Sequence, residues 1–175
     1  ILPIGEKMFI PRVKDEEISG KQKIKSVLKL FFADETAKKA SPVASEFIPY
    51  LRFKESEKKA EADVCFTTVP GISEKPEYYE IHSQSGKIQI YAKDFRGHVN
   101  ALATLSEMLS FENGGFYIQS GTIKDYPDKP FRSFMIDTGR KYIPIPEFKA
   151  QILFIARSKM NKLHIKLPEN SYDII

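Results

Sequence analysis

The sequence is poor in the features that place many proteins at a glance. Its one cysteine, Cys65, has no partner for an internal disulfide. It lies in the apolar stretch VCF, where a buried thiol is expected rather than a nucleophile. One cysteine decides between neither an oxidising nor a reducing compartment, and an exported, cell-surface or periplasmic location is the expectation. No stretch reaches the ~18 apolar residues of a membrane helix, so no membrane span is expected. The N-terminal ILPIGEK has no basic start, no long apolar core and no initiator Met, which suits a processed or excised chain. No Asn-x-Ser/Thr acceptor occurs. Metal-ligand spacings of the H-x-x-x-H, C-x-x-C and calcium-loop kinds are missing, so no metal is expected. G-x-G-x-x-G, Walker and G-x-S-x-G patterns are missing too, and no cofactor is expected. Basic residues are not clustered. Lys and Arg outnumber Asp and Glu only 27 to 23, and they alternate with acids as in KESEKKAEAD, which argues against a nucleic-acid partner.

What remains is an ordinary globular composition arranged in a readable order. At 175 residues the chain is one domain or a little more. KMFIPR at 7–12 is a short strand candidate, and VKDEEISG is a polar link. KQKIKSVLKLFF at 21–32 sets Ile24, Val27, Leu28 and Phe31 on one face of a predicted helix. The residues 36–49 read as a mixed connection. YLRFK and ADVCFTTV read as strands, and PGISEKP as a loop. YYEIHSQSGKIQIYAK is a hairpin about Gly86, with Tyr79 and Ile81 on one face and Ile88 and Ile90 on one face. A second helix follows at 98–109, with Val99, Leu102, Leu105 and Leu109 as its stripe. FYIQ and TIKD are two further short strands, and YPDKP is a stiff exit. The expected fold is an α+β domain over 1–128, a mixed or antiparallel sheet packed by two helices. From 129 to 175 the pattern changes. SFMID is a near-continuous apolar strand of the kind covered on both faces. A loop, a helix with Phe148, Ile152, Ile155 and Ala156 inward, and the strand KLHIKL follow. This is the first β/α unit and second strand of a (β/α)8 barrel, begun and not completed within the 175 residues.

Polar residues gather where such a barrel keeps its chemistry. Arg140 follows the first barrel strand, and its guanidinium can grip hydroxyls or a carboxylate. It also reads as a loop arginine paired with Asp137 or a later acid. Asp137 ends that strand and needs a partner; it can orient Arg140 or tie adjacent strands. Alternation places His164 and Lys166 on one face of the second strand, so His164 is a candidate wall of a site. Glu169 and Asn170 follow that strand, and they support a site or open the next loop. His82 lies in the hairpin and His98 at a helix start, neither with a ligand-like partner. No general acid/base pair is evident, so no catalytic residue is assigned.

These residues carry a family resemblance. FRSFMIDTGRKYIPI resembles the "RG…LDxSRHY…P" opening strand of glycoside hydrolase family 20, the β-N-acetylhexosaminidases, through Arg132, Asp137, Arg140, Tyr142 and Pro144. IARSKMNKLHIKL resembles that family's "MAxxKxNxxHxHL" segment through Ala156, Lys159, Asn161, His164 and Leu167. TIKDYPDKPFR is similar to its "I.D.PRFPxR" junction, and the hairpin and helix from Tyr79 to Leu105 to its small α+β, zincin-like domain. Lys166 stands where the family has a second His. Glu169, Asn170, Ser171 and Tyr172 or Asp173 occupy the "DDQ-x-W" stretch.

The resemblance implies a retaining, substrate-assisted exo-hydrolase of terminal β-linked N-acetylglucosamine or N-acetylgalactosamine. The sugar's acetamido carbonyl attacks the anomeric carbon, a Glu serves as acid and then base, and the preceding Asp supports the acetamido group. Those two acids are expected beyond residue 175, so the fragment alone is expected to be inactive. Arg140 is then the sugar-binding residue, with Asp137, His164, Glu169 and Asn170 shaping or supporting the site. The implied partners are a carbohydrate with a terminal β-linked N-acetylhexosamine and the remainder of the barrel. A noncatalytic glycan-binding or structural module related to the family is the alternative, favoured by the altered HIKLPENSY segment.

Overall fold

The hairpin and its neighbours organise the larger part of the computed structural model, which describes residues 9–167. Tyr79–Gln84 (β5) and Lys87–Ala92 (β6) pair antiparallel, Tyr79 opposite Ala92. Their alternation buries Tyr79, Ile81, Ser83, Ile88 and Ile90 on one face. Around them run Asp15–Ile24 (β1), Val27–Phe32 (β2), Arg52–Glu55 (β3), Val64–Thr68 (β4), Leu109–Glu112 (β7) and Gly115–Asp125 (β8). The order across the sheet is β1-β8-β5-β6-β4-β2-β3, with β7 also on β8. From β3 to β6 the pairs are parallel, and from β6 to β1 they are antiparallel. The result is a mixed sheet with flanking helices.

Helix α3, Phe95–Met108, lies on β5 and β6. Asp94 starts it: its Oδ1 accepts the Gly97 N–H at 2.9 Å, satisfying one of the amides a helix N-terminus leaves free. Ala101, Leu102, Leu105 and Met108 are buried on its inner face. Val99 is only half-buried, so the stripe is rotated from the expected one, and Leu109 is buried as the first residue of β7.

The first helix expected from the sequence does not exist. Residues 21–32 form the end of β1 and all of β2. Leu28 and Leu30 are buried and Lys29 between them is exposed, the period of a strand. Ile24, Val27, Leu28 and Phe31 suit a helix by spacing, but β2 sits between two parallel neighbours whose ladders decide the outcome. The presumed polar link is likewise strand, because β1 is an edge whose side chains stay in water. Helices form instead in the presumed connection: Glu35–Lys38 (α1), capped by Asp34, and Ser41–Phe47 (α2). Among the described residues three α-helices therefore flank the sheet where two were expected. Of the proposed strand at 7–12, residues 7 and 8 lie outside the described residues, and 9–12 form no strand. FYIQ and TIKD belong to one continuous strand, β8. Beside it β1 slips register between Ile18 and Gly20. There a Cβ on Gly121 would lie 2.0 Å from the Glu17 carbonyl oxygen, so only glycine lets the two backbones meet.

By its internal contacts the chain falls into two units, Ile1–Asp128 and Lys129–Ile175. The second contains Ser133–Asp137 (β9), Ile145–Arg157 (α4) and Lys162–Lys166 (β10). β9 and β10 are parallel, Ser133 opposite Lys162 and Asp137 opposite Lys166. Ile136 on the strand and Ile155 on the helix are buried, which sets α4 over the face that carries Ile136. Of the other inward positions expected on α4, Phe148 and Ala156 are half-buried and Ile152 is 36% exposed. SFMID is not covered on both faces: Phe134 is 46% and Met135 55% exposed, since one helix and one neighbouring strand screen only part of it.

Candidate functional site

The C-terminal ends of β9 and β10 bring three of the expected residues and one further residue together. Because the strands are parallel and in register, Asp137 faces Lys166 and Met135 faces His164 on the side away from Ile136. The loop after β9 is tied across to β10 twice. The Thr138 N–H and hydroxyl both donate to the Lys166 carbonyl oxygen, at 3.0 and 2.9 Å. Asp137 closes the turn, its Oδ1 accepting the Gly139 N–H at 2.9 Å. Its Oδ2 lies 3.6 Å from Arg140 Nε and 3.8 Å from Lys166 Nζ. The Asp137 side chain is 22% exposed and that of Arg140 86%. One half-buried carboxylate is thus shared by two cations, and the Arg140 fork points into solvent at the strand mouth.

His164 is exposed on the same face as Lys166, one strand repeat back from the mouth. Glu169 and Asn170 lie outside the described residues. In the sequence Lys166 shares a strand face with His164 and departs from the family pattern. Its spacing from His164 on one strand face was the available signal, but its partner in β9 is set by register, which the sequence does not display.

The opposite ends of the strands are bound just as closely. The Arg132 N–H donates to Asn161 Oδ1 at 3.0 Å, and its Nε donates to the Lys159 carbonyl at 2.7 Å. Asn161 Nδ2 donates to the Pro130 carbonyl at 2.8 Å. Lys159 takes a positive φ of 58° as α4 hands over to β10. These residues of the resemblance, Arg132, Lys159 and Asn161, serve architecture at the end away from Arg140.

The first unit holds buried polar groups of its own. His98 is fully buried, and its Nε2 meets the Thr68 hydroxyl at 3.0 Å. That hydroxyl donates to Asp34 Oδ1 at 2.7 Å, so His98 Nε2 must carry its proton. Burial pushes the imidazole down to about 4, against the opposing pull of Asp34 and Asp94. Burial would raise Asp34, but hydrogen bonds from Thr68 and Ala37 outweigh it and hold the carboxyl low. Tyr79 donates to Asp125 at 2.9 Å inside the core. Cys65 is buried and its thiol is pushed up by desolvation, the inert behaviour expected of it. His82 is paired with Glu80 at 2.9 Å on the outer sheet face. Among the described residues no three His, Cys, Asp or Glu come together to hold a metal ion, and no helix is long and apolar enough to cross a membrane.

Comparison with known proteins matches both units. Residues 9–126 match the family described as glycosyl hydrolase family 20, domain 2, and 130–172 match glycosyl hydrolase family 20, catalytic domain. The chain is 38% identical over 86 residues to Beta-hexosaminidase 1 of Coccidioides posadasii, covering 49% of this chain and 14% of that protein. It is 36% identical over 97 residues to Beta-hexosaminidase of Emericella nidulans, covering 53% of this chain and 16% of the relative. The GH20 exo beta-N-acetylglucosaminidase of Vibrio harveyi, solved with N-acetylglucosamine, shares the fold at a TM-score of 0.81 and 20% identity, over 91% of this chain and 25% of that one. The chain spans only about a sixth of these curated relatives and a quarter of the solved enzyme. Both family matches run in the same order along the sequence, and the first alone spans more than half of it. The chain belongs to glycosyl hydrolase family 20.

Proposed function

We propose that this chain supplies the small α+β domain, 1–128, and the opening of the catalytic barrel, 129–175, of a β-N-acetylhexosaminidase. The substrate is a glycan ending in a β-linked N-acetylglucosamine or N-acetylgalactosamine. The reaction is retaining and uses the sugar's own acetamido group as nucleophile. Arg140 binds hydroxyls of the terminal sugar. Asp137 and His164 support and wall that position, with Glu169 and Asn170 in supporting roles. The general acid and the acid that supports the acetamido group come from later barrel strands, so the 175 residues alone give no turnover.

The observation that carries this reading is the strand mouth itself. A parallel β/α/β unit presents a solvent-facing guanidinium at the C-terminal end of its first strand, where barrels of this architecture act. Four of its N–H donors suit vicinal hydroxyls better than a point charge does. In the full-length protein, Arg140→Ala is expected to lower kcat/KM for p-nitrophenyl N-acetyl-β-glucosaminide by about 100-fold, the scale of two or more lost hydrogen bonds to substrate. An effect below threefold would remove Arg140 from the site. Release of p-nitrophenol by the purified 175-residue chain would overturn its proposed inactivity.

The second reading, a glycan-binding module without catalysis, is favoured by one observation: Lys166 and the residues after it depart from the family pattern. Binding of N-acetylglucosamine by the full-length protein without cleavage would select it.

A further inference from the structure

The pair Arg140 and Asp137 leaves one group at the strand mouth unexplained. Lys166 belongs to the neighbouring strand, yet its ammonium lies 3.8 Å from the same carboxylate oxygen, Asp137 Oδ2, that faces Arg140. Three features make this arrangement directional. Asp137 Oδ1 is held by the Gly139 N–H, so the carboxylate cannot rotate freely. Arg140 meets the carboxylate through Nε, the inner edge of its guanidinium, and among the described residues its two Nη groups make no hydrogen bond. The loop backbone is fixed independently, by the two Thr138 bonds to the Lys166 carbonyl.

We infer that Lys166 is a positioning residue for Arg140, acting through Asp137. The ammonium holds Asp137 from the β10 side. Asp137 then anchors the guanidinium by its Nε edge, and both Nη groups stay aimed outward for the sugar hydroxyls. Without Lys166, Oδ2 is no longer held from the β10 side, and the guanidinium can turn to bring an Nη onto it beside Nε. That pair would spend the donors meant for substrate. Lys166 thereby turns the position where the family pattern has a second His into part of the sugar grip, using charge where that pattern has an imidazole. A side chain fixed in this way loses less freedom when the ligand arrives, and a small misplacement of a gripping group costs much of its contribution.

This inference rests on the hexosaminidase reading, and its test separates the two. In the full-length protein, Lys166→Met keeps the backbone bonds of Thr138 and removes only the ammonium. It is expected to raise KM for p-nitrophenyl N-acetyl-β-glucosaminide about fivefold and to leave kcat within about twofold, the pattern of lost ground-state binding. Lys166→Arg is expected to restore most of that loss. Added to Arg140→Ala, Lys166→Met is expected to change nothing further, because the two act as one unit. Thermal melting of each variant checks that folding is intact, which an exposed side chain paired at this distance makes the expected result. An unchanged KM in Lys166→Met, or the same fold-loss in both backgrounds, overturns the inference while the wild-type enzyme remains active. A wild type that neither binds nor cleaves the sugar defeats the hexosaminidase reading and this inference with it.

Discussion

In the first unit Ile81, Ile90 and Ile118 are completely buried; in the second Phe134, Met135, Leu167 and Phe154 stand 46%, 55%, 69% and 71% exposed. Both units use parallel strand pairs, so strand chemistry does not separate them. What separates them is closure. The larger sheet carries helices and runs across both parallel and antiparallel neighbours, and its hairpin side chains meet α3. The smaller unit has two strands and one helix, which cannot cover both faces of a parallel pair. In the proposed barrel the remaining strands and helices supply that cover. Among the described residues, the first unit buries its own core and the second leaves large apolar side chains in water.

The strongest way to break this contrast is to separate the units. Residues 9–128 alone are expected to show a cooperative thermal transition by circular dichroism, and 129–175 alone none. A sharp melt in the smaller piece would abolish the distinction. Single truncations sharpen it. Ile81→Ala is expected to cost about 3 to 4 kcal/mol in urea unfolding, for the lost transfer energy and the cavity left behind. Phe134→Ala is expected to cost less than about 1 kcal/mol, because nearly half the ring is already in water. Equal losses would contradict the burial difference.

A pH dependence also belongs to the first unit. His98 has a folded value of about 4 against an ordinary 6.5, so the unfolded chain binds the extra proton between those values. Its stabilising contribution is complete above pH 6.5 and is lost as pH falls toward 4, about 3 kcal/mol in all. Unfolding free energies of the wild type and His98→Gln, measured across that window, are expected to converge as pH drops. Parallel curves would show that His98 is not the group that titrates.

Legibility followed the same division of forces. The hairpin, α3, β9, α4 and β10 were readable because local periodicity and tertiary placement agree there. Asp94 before α3 and Pro146 in the first turn of α4 are signals that act within a few residues. The stretch 21–32 failed because its apolar spacing satisfies two periods, and the choice was made by β3 and β4, distant in sequence. β1 failed because an exposed edge strand needs no apolar alternation at all. At the candidate site Arg140, Asp137 and His164 were visible as polar residues at the ends of apolar strands. The part played by Lys166 was not, since one oxygen shared between two strands depends on their register.

The position of β1 has a consequence for synthesis. Among the described residues it pairs with β8 alone, and the Ser19 hydroxyl reaches the Ser120 carbonyl across 101 residues of chain. At about 5–20 residues per second, a ribosome takes on the order of 5–20 s to produce that span. Throughout this interval a ten-residue strand waits without its partner. Its sequence, DEEISGKQKI, has charged groups at both ends and glycine in the middle, a poor template for joining another nascent chain. The solvent-facing polarity that hid this strand from a pattern-based reading also keeps it soluble until its partner emerges.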